Sequence, residues 1–360
     1  MNPIDPRNVR HVLIRANNWI GDVVMISPAV RSIRARFPEA RIAILAKSWV
    51  LESLRGSPYY DDLIEYDDLG RHRGLAGRLR LVRELRAFRF DLAILFQKAF
   101  EAAALAFLAA ARHRVGYATD GRSALLTHAL PLPPRDMHHA DVFLALAGSL
   151  GCVTTDRTPY FHLDDESRRC AGTLLADRPD GSRNGLIAVH PGASKEPRSW
   201  HPDRFGRLAG ALASGQPVRI LLLGGPADGP ALDRIASHLE PGVVLRPSGR
   251  LPIKVMGALL ERSCLFIGND SGPMHVAAAL GVPTIGIFGP GSPVRTAPLA
   301  LPGRLITVGG DYPCSPCRQA FFKECTPAPS GKPFCLEEIE VDEVLEAART
   351  LLSRAPESTA

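Results

Sequence analysis

Asn269-Asp270-Ser271-Gly272-Pro273-Met274-His275 is a polar turn set between two apolar runs, Cys264-Leu265-Phe266-Ile267 and Thr284-Ile285-Gly286-Ile287-Phe288. The runs read as buried parallel strands, and the Ala-rich segment after the turn as a helix. The turn then falls at the carboxyl end of a strand and the amino end of a helix, where backbone N–H groups and the helix dipole favour anions. Asp270 can accept from a ligand's hydroxyls there while the N–H groups hold phosphate; an N-cap role fits the same position, and both stay open. An earlier loop, Arg15-Ala16-Asn17-Asn18-Trp19-Ile20-Gly21-Asp22, also sets a carboxylate at the start of a helix. The dipole would keep Asp22 ionised, as suits a general base taking a proton from an incoming hydroxyl; a plain first-turn or N-cap acid is the alternative.

Three more strand ends gather in the second half. In His190-Pro191-Gly192-Ala193-Ser194-Lys195, Gly192 permits close backbone approach and the Ser194 hydroxyl can donate to a phosphate oxygen. Lys195, or Arg198 of Arg198-Ser199-Trp200-His201-Pro202, can neutralise that phosphate. Gly224-Gly225-Pro226-Ala227-Asp228 offers Asp228 to a ribose hydroxyl, and Gly289-Pro290-Gly291-Ser292-Pro293 follows the last strand of this reading. Gly and Pro after a strand signal a turn in general. Three such ends in one half converge on one anionic site.

The elements that must position these residues alternate throughout. Strands are expected at 11–14, 42–46, 92–96 and 114–117, with helices at 23–37, 100–111, 140–150 and 164–177. A polar break at 178–185 reads as a linker, and the alternation restarts. Strands follow at 186–189, 219–223 and 243–245, helices at 202–213, 231–239 and 255–262, and a closing amphipathic helix at 341–353. This is the pattern of parallel sheets covered by helices. It predicts two Rossmann-like doubly wound domains facing a cleft: 1–178, 185–336, and a closing helix and tail over 337–360.

Composition agrees. At 360 residues, two domains are the default. Apolar residues at 46% and charged residues at 22% are ordinary for a soluble globular chain. The net charge of +6 fits an anionic partner, but aromatics at 6% with no basic run interleaved among them argue against nucleic acid. A polar amino terminus leads into the first strand, and no apolar run is long enough to span a bilayer, so the expectation is a cytoplasmic protein. The first loop holds only Gly21 where a dinucleotide fingerprint needs G-x-G-x-x-G, which disfavours a nicotinamide dehydrogenase. No Asp-x-Asp sits at a strand end to present Mg²⁺ to a nucleotide. The pairs Asp61-Asp62 and Asp67-Asp68 read as a solvated outer loop.

The ordered set Asn18-Trp19-Ile20-Gly21-Asp22, His190-Pro191-Gly192-Ala193, Arg198-x-Trp200, Asn269-Asp270-Ser271-Gly272-x-Met274-His275 and Phe288-Gly289-Pro290 closely resembles the ADP-heptose:lipopolysaccharide heptosyltransferases. Within that family, glycosyltransferase family nine, it looks most like the heptosyltransferase II branch, over nearly the whole chain. The resemblance implies a GT-B fold, donor bound by the second half and acceptor by the first. It implies inverting, metal-independent transfer of a heptose from ADP-heptose to the lipopolysaccharide inner core. Asp22 matches the candidate catalytic base, and Asp270 the residue gripping the heptose hydroxyls, with Ser271, Gly272 and His275 close to the diphosphate. Arg198 stands where relatives often carry Lys, so a planar fork replaces a point donor, and Lys195 can share its role. Asn18, Trp19, Lys98 and Arg122 are the acceptor-side candidates, Lys98 and Arg122 (with Arg114) because they follow first-half strands.

Two further stretches stand apart. Cys314, Cys317, Cys325 and Cys335 cluster in a Pro- and Lys-containing loop, one pair as a C-x₂-C knuckle. They could hold a structural Zn²⁺ or remain thiols, and no cofactor is expected for catalysis itself. Arginines at 71, 73, 78, 80, 83, 86 and 89 span a loop and a helix. A solvated face is the plain expectation; attraction to the acidic inner core, or a peripheral contact with anionic lipids of the inner membrane, is the functional one.

Overall fold

The computed structural model describes residues 4–175, 185–214, 217–315 and 317–354. It divides into two compact units, 1–162 and 163–360. The first unit runs β1 (His11–Arg15), α1 (Ile20–Arg36), β2 (Arg41–Lys47), α2 (Ser48–Leu54), β3 (Asp62–Tyr66), α3 (Gly74–Ala87), β4 (Leu92–Leu95), α4 (Phe100–Leu108), β5 (His113–Tyr117), β6 (His128–Leu130) and α5 (His139–Gly148). Its sheet is six-stranded in the order β3-β2-β1-β4-β5-β6, and every pairing is parallel. In register, Val12 sits between Ile42 and Leu92. Apolar side chains from both faces of β4 are buried, as a sheet covered on both sides requires.

The second unit runs α6 (Asp165–Leu174), β7 (Leu186–His190), α7 (Pro202–Ala213), β8 (Arg219–Leu222), α8 (Gly229–Ala236), β9 (Val244–Leu245), α9 (Ile253–Glu261), β10 (Leu265–Asn269), α10 (Gly272–Ala279), β11 (Thr284–Phe288), α11 (Pro293–Thr296), β12 (Leu305–Gly309), α12 (Phe334–Glu337) and α13 (Val341–Ser353). Its sheet has the order β12-β11-β10-β7-β8-β9, again parallel throughout. Read from its β9 edge, it repeats the winding of the first sheet: three strands laid one way, then three the other. Its core gathers Trp200, Phe205, Ile267, Leu336 and Leu351. Trp200 is fully buried, and its indole N–H donates to the Ile339 carbonyl at 3.1 Å, so the largest apolar surface in this core carries no unpaired donor.

Several expectations need correction. The unit boundary falls at 162/163 rather than 178, because α6 packs on α9 and Arg168 grips Glu261 through two hydrogen bonds of 3.0 and 3.1 Å. The proposed linker, 178–185, lies outside the described residues except for Gly185. The closing helix is no appendage, since Val344 and Leu351 of α13 belong to the second core. Asp61-Asp62 and Asp67-Asp68 bracket β3, an edge strand the sequence reading missed; Asp67-Asp68 lead into a surface turn as expected, while Asp62 begins the strand. Asp61 accepts from the Ile42 N–H at 2.7 Å and pairs with Arg34, while Asp68 pairs with the buried Lys47. The strands β6 and β12 were also missed; both are short, partly exposed edges with weak alternation, so β11 is not the last strand.

The helix α1 begins three residues before its apolar pattern does. Trp19 takes the extended N-cap conformation, which sets Asp22 in the first turn. Pro28 lies inside α1 and cannot donate to the Val24 carbonyl; the Ser27 hydroxyl donates there instead, at 2.7 Å.

Candidate active site

In open α/β sheets a crevice forms at the carboxyl ends of the strands where the winding reverses. In the second unit that point lies between β7 and β10, and the loops leaving these two strands carry the motif residues. Asn269 closes β10 and joins both loops: its amide donates to the Pro191 carbonyl at 2.6 Å, and its side-chain oxygen accepts from the Trp200 N–H at 3.0 Å. Across the reversal the Arg198 guanidinium pairs with the Asp270 carboxylate and donates to the Asp270 carbonyl at 3.3 Å. Both side chains are mostly buried, at 18% and 9% exposure. Burial raises the Asp270 carboxyl above its usual range, and Arg198 opposes that rise. Gly291, after β11, leaves room for this carboxylate, which a side chain there would strike.

The anion-binding groups surround this pair. Ser194 lies 3.4 Å from an Arg198 nitrogen, and both Ser194 and Lys195 are exposed. Ser271 is the N-cap of α10 but makes no side-chain cap; its hydroxyl lies 3.5 Å from the His190 ring. Gly272 opens α10, and His275 is buried within it. The Asp228 carboxylate accepts from the Gly225 N–H at 2.7 Å and reaches over the end of β7. A Cβ at position 192 would stand 2.8 Å from both its oxygens, which is the physical need for Gly192. Burial lowers the His190 pKa, against the pull of Asp228, so its imidazole is neutral at pH 7. Arg198, Lys195, two hydroxyls and a helix amino end thus share one rim with two carboxylates. That chemistry fits a polyol bearing phosphates.

In the first unit the reversal lies between β1 and β4. Asp22 sits there on the first turn of α1, its side chain 18% exposed, 3.3 Å from the Asn17 amide and 4.0 Å from His139 Nδ1. Asn18 is fixed twice: Arg15 donates to its side-chain oxygen at 3.0 Å, and the Trp49 indole N–H to its carbonyl at 2.8 Å. Arg15 itself is buried, which pushes its pKa down to about 10 and leaves it charged at pH 7. Trp19 and Trp49 are both exposed beside this loop, at 64% and 43%. Lys98 follows β4, half-buried, with its ammonium 5.9 Å from the centre of the Tyr117 ring.

Arg122 is placed differently from the acceptor role its position implied. It is fully buried, and its guanidinium donates to the carbonyls of Tyr117 at 2.9 Å, Gln97 at 2.5 Å and Ala99 at 3.3 Å. It holds the loops after β4 and β5 together and presents no charge to a ligand. The four clustered cysteines are free thiols on the excursion between β12 and α13. Among the described residues no three His, Cys, Asp or Glu stand where they could share a metal ion. The excursion is tied to the Ser194–Arg198 loop: Lys332 pairs with Glu196, and the Lys195 ammonium lies 5.4 Å from the Phe321 ring centre. The sequence reading missed Asn17, His139 and Trp49. Trp49 lies just past the end of β2, where the strand-end rule finds it; His139 joins the site from a distant helix and leaves no local signal.

Two doubly wound units in one chain, each with polar side chains gathered where its winding reverses, make the GT-B class of glycosyltransferase fold. The family model of glycosyltransferase family 9 (heptosyltransferase) matches residues 78–325, and the chain belongs to that family. Lipopolysaccharide heptosyltransferase 2 of Salmonella typhimurium is 28% identical over 317 residues, covering 84% of this chain and 89% of that protein. Lipooligosaccharide heptosyltransferase 2 of Campylobacter jejuni is 27% identical over 350 residues, covering 96% and 99%. Among solved structures, a family 9 glycosyltransferase from Veillonella parvula matches with a TM-score of 0.79 at 22% identity, over 96% of this chain and 97% of that one. ADP-heptose lps heptosyltransferase II of E. coli matches with a TM-score of 0.77 at 22% identity, over 95% and 98%. No helix among the described residues is long and apolar enough to cross a membrane.

Proposed function

We propose that the chain moves a heptose from ADP-heptose to the inner core of lipopolysaccharide in the manner of heptosyltransferase II, with inversion and without a metal. The observation that carries this reading is Asp22: a carboxylate on the first turn of α1, at the winding reversal, flanked by Asn17 and His139. A protein that only binds a nucleotide sugar has no use for a base there. The relatives named for heptosyltransferase 2 support the choice of branch.

In this mechanism Asp22 takes the proton of the acceptor hydroxyl, whose oxygen attacks the anomeric carbon opposite the departing ADP. The bond to the diphosphate breaks and ADP leaves with its electron pair. Arg198, Lys195 and the amino end of α10 stabilise that charge, with Ser194, Ser271, Gly272 and His275 beside it. Asp270 and Asp228 accept from sugar hydroxyls. Asn18, Trp19 and Lys98 receive the acceptor. General-base help contributes roughly 10²–10⁴-fold, and stabilising the leaving group often more. Asp270 is already paired with Arg198, so its carboxylate is engaged by a cation of the protein itself.

The test is ADP release from ADP-heptose with a panel of truncated lipopolysaccharide cores. Acceptor-dependent release that disappears in Asp22→Ala, with donor affinity kept, supports the reading. Donor binding without release on any core moves the acceptor or the sugar elsewhere. The same reading places the protein in the cytoplasm at the inner membrane, which fractionation of intact cells checks.

The proposal also keeps a structural Zn²⁺ at Cys314, Cys317, Cys325 and Cys335, with no part in transfer. Cys335 lies within electrostatic reach of the other three, and the Gln319 N–H donates to Cys317 Sγ at 3.1 Å, as knuckle amides do. As the thiols stand they do not yet share a metal position, so binding requires the loop to draw in. One zinc per chain in the purified protein supports the site, and none removes it.

A further inference from the structure

The outward face of α3 and α4 combines two features that a solvated helix pair does not. Leu75 and Leu79, one turn apart on α3, are 75% and 45% exposed, and Phe100 and Phe107, two turns apart on α4, are each 48% exposed, with Leu108 beside them. The two helices are neighbours: Arg78 pairs with Glu101 at 3.0 Å, and Arg86 donates to the Leu108 carbonyl at 2.7 Å. The apolar stripes therefore lie side by side. Single exposed apolar side chains are common on any protein, but five on two adjacent helices form a patch that calls for a partner.

The charge around the patch identifies that partner. Between positions 69 and 89 stand seven arginines and one carboxylate, Glu84. Arg71, Arg78 and Arg86 are engaged within the protein. Arg73, Arg80, Arg83 and Arg89 are exposed and have no ion-pair partner among the described residues. Leucine and phenylalanine set among unpaired arginines suit the boundary between headgroups and acyl chains of an anionic bilayer. A protein interface of this size would instead deplete charge at its centre.

We propose that this α3–α4 face docks the chain on an anionic lipid surface, with the aromatic and leucine side chains in the headgroup boundary and the four free arginines on lipid phosphates. Phe100 lies two residues beyond Lys98, so the docked face reaches the rim of the first-unit crevice. The proposal rests on the inner-membrane placement given under the proposed function and assigns the face that makes it; vesicle binding is read without any sugar substrate, so its failure and the failure of heptose transfer are distinguishable.

The experiment is sedimentation of the full chain with vesicles of phosphatidylglycerol and phosphatidylethanolamine, against phosphatidylcholine alone, at low and high salt. Retention on the anionic vesicles, weakened by salt and absent on phosphatidylcholine, is expected. Replacing Arg73, Arg80, Arg83 and Arg89 together by Gln should weaken it roughly 10²–10³-fold. Leu75→Ser, Leu79→Ser and Phe107→Ser combined should weaken it as well, with circular dichroism unchanged in both variants. No retention on anionic vesicles, or retention that neither variant alters, overturns the proposal. So does a serine variant that splits a dimer while leaving vesicle binding intact, which would make the face an interface between copies.

Discussion

Burial raises the Asp270 carboxyl above its usual range, and the Arg198 guanidinium against it opposes that rise. Removing one member of a mostly buried ion pair leaves the other desolvated and uncompensated, at a cost of about 3–5 kcal/mol. Asp270→Ala should therefore lower the melting temperature as well as donor affinity, whereas Arg198→Lys keeps the charge, loses the fork, and should weaken donor binding with a smaller loss of stability. Calorimetric melting and ADP-heptose titration on both variants check this; equal losses of stability would sink it. Asp22→Asn should behave in the opposite way, with kcat down roughly 10²–10⁴-fold and donor affinity kept. Burial also holds the imidazoles of His113, His190 and His201 below their ordinary pKa, and at His201 it outweighs the attraction of Glu337 at 2.9 Å. As the pH falls through about 6.5 the unfolded chain takes up these protons before the folded one. Stability is thus full above that pH and declines below it. Melting temperatures across that range should show the decline, and His190→Gln should make it shallower.

The loops after β4 and β5 show why an element can mislead when only its sequence is visible. An arginine after a strand end in a basic chain reads as a ligand group, yet Arg122 is fully buried, and three backbone carbonyls accept from it. Burial pushes its pKa down to about 10, still charged at pH 7. Hydrogen bonds to a charged group contribute about 1.5–3 kcal/mol each, so Arg122→Ala should destabilise the fold by several kcal/mol. Because Gln97 and Ala99 flank Lys98, any rise in acceptor KM should accompany that loss of stability; a selective rise in acceptor KM with normal melting would return Arg122 to the binding set. Trp49 is the reverse case. No motif in the sequence singles it out, yet its indole N–H fixes the Asn18 carbonyl and leaves the ring exposed beside Trp19. Trp49→Ala should raise acceptor KM more than it lowers kcat, and a steady-state comparison on a truncated core would show which parameter moves.

Across the whole molecule, buried strands announced themselves as unbroken apolar runs, and helices such as 202–213 and 341–353 appear with the bounds that their periodicity implied. The edges did not. The strands β3, β6 and β12 are partly exposed, so their side chains need not alternate strictly, and flanking Asp, Gly and Pro hide them. The strand-end motifs were legible because a ligand rim needs glycine, hydroxyl and charge in one short loop, as in 190–198. His139 was not, because its role depends on which distant helix the fold brings beside Asp22, and Asn17, though in the same loop, carries no signal of its own. The two sheets share one winding, strand for strand, and that has a consequence for how such a chain could diversify. Each half is a complete module with its own cradle, so the halves can be inherited, or grafted, as separate cassettes. A hybrid joining residues 163–360 to the first half of a family 9 relative with a different acceptor should keep its sugar nucleotide and adopt the new acceptor. Competition between two cores for one labelled donor would read the swap directly.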